Sequence, residues 1–263
     1  MRIKVLIENT VCSENLAAEH GLSLYIETKH HNILFDAGQT DAFADNAEKL
    51  GIDLKKADLA VLSHGHYDHS GGLHKFLQIN QTAPVYMSRY AFSPCYHGKD
   101  RYIGIDPELS HCTRIHFTED TCTIDNGLTL FSCNQKEKSH PADSFGLTVL
   151  QNGQYEDDTF LHEQYLLIEE DNKRVLISGC SHKGILNIAN WFQPDILVGG
   201  FHFMNLDPQT SDAKRLDAAA KELLQYPTVY YTGHCTGPAQ FEHMKAIMRD
   251  KLHAIGSGTV IEI

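Results

Sequence analysis

Short apolar runs rich in β-branched residues recur along the whole chain, and they predict strands before anything else. In the first half these are Ile3 to Glu8 (IKVLIE), Leu22 to Glu27 (LSLYIE), Asn32 to Asp36 (NILFD), Asp58 to Ser63 and Pro84 to Met87 (PVYM). In the second half they are Tyr165 to Glu169, Arg174 to Ser178, Asp195 to Gly199, Val229 to Thr232 and Thr259 to Ile263. Helical spacing appears between them. Thr40 can cap a helix over Asp41 to Leu50, with Phe43, Ala47 and Leu50 on one face and Gly51 at its end. Further helices are expected over LHKFLQI (73–79), Gly184 to Phe192, from Ser211 to about Tyr226, and Pro238 to Leu252 with proline at the start. Each half reads as strands followed by helices, which suits two mixed sheets packed together with helices outside. No Pro/Ser-rich linker and no 20–50 residue repeat interrupts the pattern, so residues 1–263 are expected to form one α/β domain.

The pattern fades between residues 88 and 145. Aromatics, prolines and turn residues follow one another there without a sustained period, and strands are expected only near Arg114 to Phe117 and Leu128 to Ser132. The rest of that segment is expected to be irregular and to cover a substrate site, as long loops in compact domains often do.

Composition narrows the function classes. With 42% apolar residues the chain can bury a large core, and a formal charge of −12 argues against nucleic acid as the main partner. Seven cysteines without a CxxC pair suggest a reducing compartment rather than a disulfide framework. The start MRIKVLIENT is broken by Glu8 too early for a signal-peptide core, and no run approaches the ~18 apolar residues of a membrane span. The expectation is a soluble, cytoplasmic protein with a small-molecule substrate, no membrane association, and an oligomeric state that composition leaves open.

The seventeen histidines direct attention to chemistry. His64, His66, Asp68 and His69 fall together in VLSHGHYDHSGGL (61–73), between the apolar run Leu59-Ala60-Val61-Leu62 and the glycine pair Gly71-Gly72. Imidazole and carboxylate are ligands that zinc and the middle transition metals favour. A merely solvated loop has no reason to hold H-x-H-x-D-H in that setting. Four ligands from one loop are too many for a single open catalytic metal, but they suit two adjacent ions completed from elsewhere. Further candidates stand at strand ends: Asp36, otherwise a turn cap; His162, otherwise a strand-entry hydrogen-bonding residue; Cys180, otherwise an inert buried thiol; and His182, His202 and His234. Lys99 and Arg101 are basic residues in an acidic protein. They would hold a substrate phosphate or carboxylate, or else are simply solvated.

The H-x-H-x-D-H loop resembles the signature of the metallo-β-lactamase superfamily. NILFDAG, SHGHYDHSGGL, the HEQ run, GCSHKGI, GGFH, GHCTG and Glu19-His20-Gly21 together resemble one branch of it. That branch includes enzymes similar to the dihydropterin–ribofuranosylaminobenzene phosphate synthase of archaeal pterin-cofactor synthesis. The resemblance implies a four-layer αβ/βα sandwich and a metal-dependent hydrolase with two divalent ions, zinc foremost and iron or manganese as alternatives. It also implies that His64, His66 and His162 hold one ion, that Asp68, His69 and His234 hold the other, and that Asp36 orients the loop without ligating. Cys180 stands where the superfamily usually has a bridging aspartate, a departure from the pattern. As a thiolate it would still be a zinc ligand. His182 competes with it as a ligand or as a proton donor to substrate. His202 has no counterpart among the common ligands and is expected, with Asp68 and His182, to act on substrate. Glu19, His20, Lys99 and Arg101 are the substrate-contact candidates, and the substrate suggested is a phosphorylated or pterin-like small molecule. The rival readings are an iron-dependent oxidoreductase or dioxygenase on the same fold, and a non-catalytic metal-dependent ligand sensor.

Overall fold

A computed structural model describes all 263 residues. Two seven-stranded sheets form its centre. In spatial order the first runs Val260–Glu262, Arg2–Ile7, Ser23–Glu27, Asn32–Phe35, Leu59–Val61, Val85–Ser88 and Ile115–Thr118. The second runs Leu252–Ala254, Val229–Thr232, Ile196–Gly199, Lys173–Gly179, Tyr165–Glu170, Leu128–Phe131 and Thr121–Asp125. Helices Ala42–Lys49 and Leu73–Ile79 contribute residues to the core outside the first sheet. Helices Ile185–Phe192, Ala213–Leu223 and Pro238–Met248 do so outside the second. The result is the expected αβ/βα sandwich of mixed sheets.

Strand periodicity sorts the side chains into layers. Ile33 and Phe35 pack between the sheets with Leu166, Ile168, Val175 and Ile177. Leu34, between the first two in sequence, packs with Phe43 and Phe76 of the outer helices. In the same way Tyr165, Leu167 and Leu176 join Ile188, Leu216 and Met244 outside the second sheet. Strands covered on both faces must be apolar at every position, which is why these segments read as unbroken hydrophobic runs. Full burial of one such side chain contributes roughly 1.5–3 kcal/mol.

Parallel pairing decides where the loops meet. Asn32–Phe35 lies parallel to Leu59–Val61, with Phe35 opposite Val61. Lys173–Gly179, Ile196–Gly199 and Val229–Thr232 are likewise parallel neighbours, with Ile177 opposite Val198 and Val198 opposite Tyr231. Chain segments leaving these strands therefore emerge at shared sheet edges, carrying Asp36, Ser63-His64, Cys180, His202 and His234.

The segment 88–145 is more regular than expected. The strand expected near Arg114 to Phe117 lies at Ile115–Thr118, and that near Leu128 to Ser132 at Leu128–Phe131. Thr121–Asp125, not foreseen, completes an edge of the second sheet. Cys95–His97 and Arg101–Tyr102 join Leu147–Gln151 and Gln154–Asp157 in a third, four-stranded sheet. Two or three residues, partly exposed, carry too little alternation to be read in advance. All seven cysteines are unpaired, and no helix is long and apolar enough to cross a membrane.

Candidate metal centre

Asp36 is the hub of the site. It ends its strand with φ 57° and is fully enclosed. One carboxylate oxygen accepts the Ser63 backbone N–H at 2.7 Å. The other accepts the Ser63 hydroxyl and His69 Nδ1–H, both at 2.7 Å. Because the Ser63 hydroxyl proton points at Asp36, its oxygen must accept from His64 Nδ1, 2.7 Å away. One carboxylate thus engages Nδ1 of both rings, so that in the neutral forms Nε2 of His64 and of His69 is the nitrogen without a proton; burial opposes a charge on His69, but Asp36 and Asp68 outweigh it and raise its pKa. Gly179 (φ +64°) makes room for this: a Cβ there would sit 2.5 Å from the Ser63 hydroxyl oxygen.

His234 is set in the same way from the far end of the chain. Asn9 Oδ1 accepts its Nδ1–H at 2.9 Å, and buried Glu8 accepts its backbone N–H. Its Nε2 is therefore bare as well. It lies 3.2 Å from His69 Nε2 and 3.2 Å from Asp68 Oδ2. Cys180 Sγ is 3.1 Å from His69 Nε2, and Asp68 Oδ2 is 3.8 Å from it. A tetrahedron with ~2.1 Å bonds has edges of about 3.4 Å, so these separations are those of donors around a common centre. A single proton could satisfy one of the contacts. A divalent ion would satisfy all of them at once.

A second constellation adjoins the first. His182 Nε2 is 3.2 Å from His64 Nε2, and His66 belongs to the same buried group of donors. His66 Nε2 and His182 Nδ1 are buried with no hydrogen-bond partner at all. Burial, followed by neighbouring histidines, lowers the pKa of His64 and His182 well below the ordinary value and that of His66 to about 3. These rings are neutral and so available as ligands. Burial opposes ionisation of Asp68, but the His69 charge and a hydrogen bond from His20 outweigh it and hold the carboxyl well below its ordinary value. Together, these imidazoles, the carboxylate and the thiol form clusters of the kind that hold metal ions.

The structure places several sequence candidates differently from the expectation. His162 was grouped with His64 and His66, but both of its ring nitrogens have protein partners. Nδ1 accepts the Gly65 N–H at 3.1 Å, which puts its proton on Nε2, directed at Asp158 Oδ2 3.0 Å away. His182 takes the place beside His64 instead, swung there by the left-handed turn at Ser181 (φ 60°) and held by Glu163, which accepts its backbone N–H at 2.6 Å. Glu19 does not reach the cavity. Its carboxylate caps Gln39 and Thr40. Lys99 is exposed in the turn between His97 and Arg101 and is not among the residues that line the cavity. His20 does reach the site, its Nε2 3.3 Å from Asp68 Oδ2.

The cavity over these donors measures about 210 Å³. Arg101 and His97 from the third sheet, His202, and the apolar side chains of Ile103, Phe145, Leu147 and Met204 line it. Arg101 donates to Tyr67 Oη at 2.8 Å. His202, also left-handed at φ 57°, sets its ring 4.2 Å from that of His182, and burial lowers its pKa to about 4. A wider groove of about 450 Å³ lies among hairpin turns such as Thr28–His31, at the opposite end of strand Asn32–Phe35. Its charges pair internally, His31 with Asp125 and Lys29 with Asp171.

Sequence reasoning missed Glu8, Asn9, Ser63, Cys95, Asp158, Glu163 and Cys235. A signal existed for Glu8, a carboxylate closing a buried strand as Asp36 does. Glu163, beside His162 in the HEQ run, is fully buried and caps the backbone of both His182 and Lys183.

Comparison with known proteins agrees with this architecture. Residues 17–133 match the family model of the metallo-β-lactamase superfamily. An uncharacterized protein of Methanocaldococcus jannaschii is 32% identical over 214 residues, covering 78% of this chain and 80% of the relative. The 7,8-dihydropterin-6-methyl-4-(β-D-ribofuranosyl)-aminobenzene-5′-phosphate synthase of the same organism is 28% identical over 265 residues, covering 90% and 88%. The crystal structure of Tm1679, described as a metal-dependent hydrolase of the β-lactamase superfamily, superposes with a TM-score of 0.81 at 30% identity, over 100% of this chain and 99% of that one. The chain belongs to the metallo-β-lactamase superfamily and has its metal-dependent hydrolase fold.

Proposed function

We propose that the protein is a hydrolase with two divalent ions, one held by His64, His66 and His182, the other by Asp68, His69, His234 and Cys180. The observation that carries this is the pair of ring nitrogens, His69 Nε2 and His234 Nε2, 3.2 Å apart, with the opposite nitrogen of each ring engaged by Asp36 and Asn9. Bound there, the ions would lower the pKa of water to ~7 and polarise a substrate oxygen. The thiol favours zinc among the candidates.

The chain's own groups do the rest. Asp36 keeps two rings in the ligating tautomer. Asp68, ionised, holds His20 at the rim and can orient an attacking water. His202 is neutral at pH 7 and its ring forms no hydrogen bond within the protein, so it can exchange a proton with substrate or leaving group. Ile103, Phe145, Leu147 and Met204 exclude water from one wall. Arg101 is placed to meet an anionic group, and with the dihydropterin-named relative it supports a phosphorylated or pterin-like small-molecule substrate. The unpaired cysteines are in keeping with a reducing compartment such as the cytoplasm.

The test is metal analysis of the purified protein, then chelation and reconstitution with zinc, iron or manganese. Activity is assayed on phosphoesters, lactones and pterin phosphates. Zinc-restored hydrolysis is the expected result. Turnover that needs iron and dioxygen, or tight ligand binding without turnover, would overturn the proposal.

A further inference from the structure

Behind His66, on the side away from the cavity, lie Cys95, Asp158 and His162. We infer that Asp158, with His162 and Cys95, forms a positioning cluster that fixes the His66 ring and sets the strength of the first metal position. This rests on the reading that His64, His66 and His182 hold an ion.

The cluster is assembled from distant segments. Cys95 comes from the third sheet, Asp158 follows the strand Gln154–Asp157, and His162 precedes Tyr165–Glu170. All are buried, and with His66 they bring four donor atoms within 4.8 Å of one another. His66 lines the cavity, yet its Nε2 is sealed from solvent and unpartnered. The ring therefore bridges the two compartments: Nδ1 is the nitrogen left for the cavity side, and Nε2–H needs an acceptor on the other. An enclosed N–H without one is costly.

Asp158 is the carboxylate in that group, within 4.8 Å of a His66 ring nitrogen and not yet hydrogen-bonded to it. One of its oxygens takes the Phe160 N–H at 2.6 Å, and the other takes His162 Nε2–H at 3.0 Å and the Cys95 thiol at 3.5 Å. The same His162 ring accepts the Gly65 N–H, so the cluster grips the metal loop by backbone as well. A carboxylate behind a ligating imidazole fixes its tautomer and makes it a stronger donor, an arrangement whose loss typically weakens metal binding 10–100-fold.

The experiment measures zinc affinity by chelator competition with Asp158→Asn in two backgrounds. In His234→Ala, which leaves the first position, Asp158→Asn should weaken binding 10–100-fold. In His182→Ala, which leaves the second, the change should stay within about twofold, since Asp158 contacts none of those ligands. Equal affinity in the first background overturns the inference. Equal losses in both also overturn it, because they mark a general defect of the fold. A third ion per chain, lost in Cys95→Ala, overturns it by making the cluster a metal position in its own right. Wild-type protein that binds no metal would sink the two-metal reading itself, whereas tight sites indifferent to Asp158→Asn sink only this one. An arm independent of any variant is ¹⁵N NMR of histidine-labelled, zinc-loaded wild type. His66 should be protonated at Nε2 and metal-bound at Nδ1; the reverse assignment overturns the inference.

Discussion

Replacing Asp36 by asparagine changes one oxygen to NH2 and should disable both metal positions at once. The carboxylate accepts from the Ser63 N–H, the Ser63 hydroxyl and His69 Nδ1–H. If the amide oxygen stays on the Ser63 N–H, its NH2 faces the Ser63 hydroxyl and His69. The hydroxyl can reverse and accept, but its proton then faces His64 Nδ1. Both histidines are pushed toward the tautomer with the proton on Nε2, which removes the lone pairs aimed at the metals. If the amide flips, the NH2 meets the Ser63 N–H instead, and the loop itself is strained. Loss of a partner that orients a ligating histidine typically costs 10–100-fold in affinity, about 1.4–2.7 kcal/mol for each ion. Exchanging charge-assisted for neutral or unmade hydrogen bonds should also cost the metal-free protein on the order of 2–4 kcal/mol. Chelator competition gives the two dissociation constants, and urea unfolding of the metal-free protein gives the stability. A folded Asp36→Asn variant that binds both ions with wild-type affinity would refute the tautomer argument.

Other consequences can be checked in parallel. His202→Ala should retain both ions and lose turnover on the natural substrate; loss of metal would make His202 a ligand. Cys180→Ser should loosen the second ion and leave the first, as read by zinc per chain at limiting zinc; unchanged occupancy would make Cys180 a packing residue. Below pH 6.5 the unfolded chain protonates its histidines, while burial keeps His66 (about 3) and His202 (about 4) neutral in the fold. Stability of the metal-free protein should therefore fall as pH drops from 6.5 to 5, with a slope for each of them that steepens from about 0.7 toward about 1.4 kcal/mol per pH unit. Urea unfolding across that range should show a shallower slope for His202→Asn, and a flat profile in the wild type would contradict the burial argument.

The layers and much of the site were legible in the sequence. Doubly covered strands leave continuous apolar runs, and a ligand loop as dense as His64 to His69 has few other uses. The choice between His162 and His182 was not legible. Both are histidines at strand ends, and only the left-handed turn at Ser181 and the hydrogen bond from Gly65 to His162 decide which ring turns inward. Glu8 and Asn9 hold His234 across more than two hundred residues of chain, a relation without local signature. Asp158 and Cys95 escaped because the third sheet that delivers Cys95 and leads into Asp158 has short, partly exposed strands.

Two ions side by side, the first completed by His182 rather than His162, would be seen by anomalous diffraction from crystals of the zinc-loaded protein, recorded at the zinc edge. Two peaks are expected, one bonded to His64, His66 and His182, the other to Asp68, His69 and His234 with the Cys180 sulfur at bonding distance. A single peak, or a first ion bonded to His162 with His182 turned away, would contradict this arrangement.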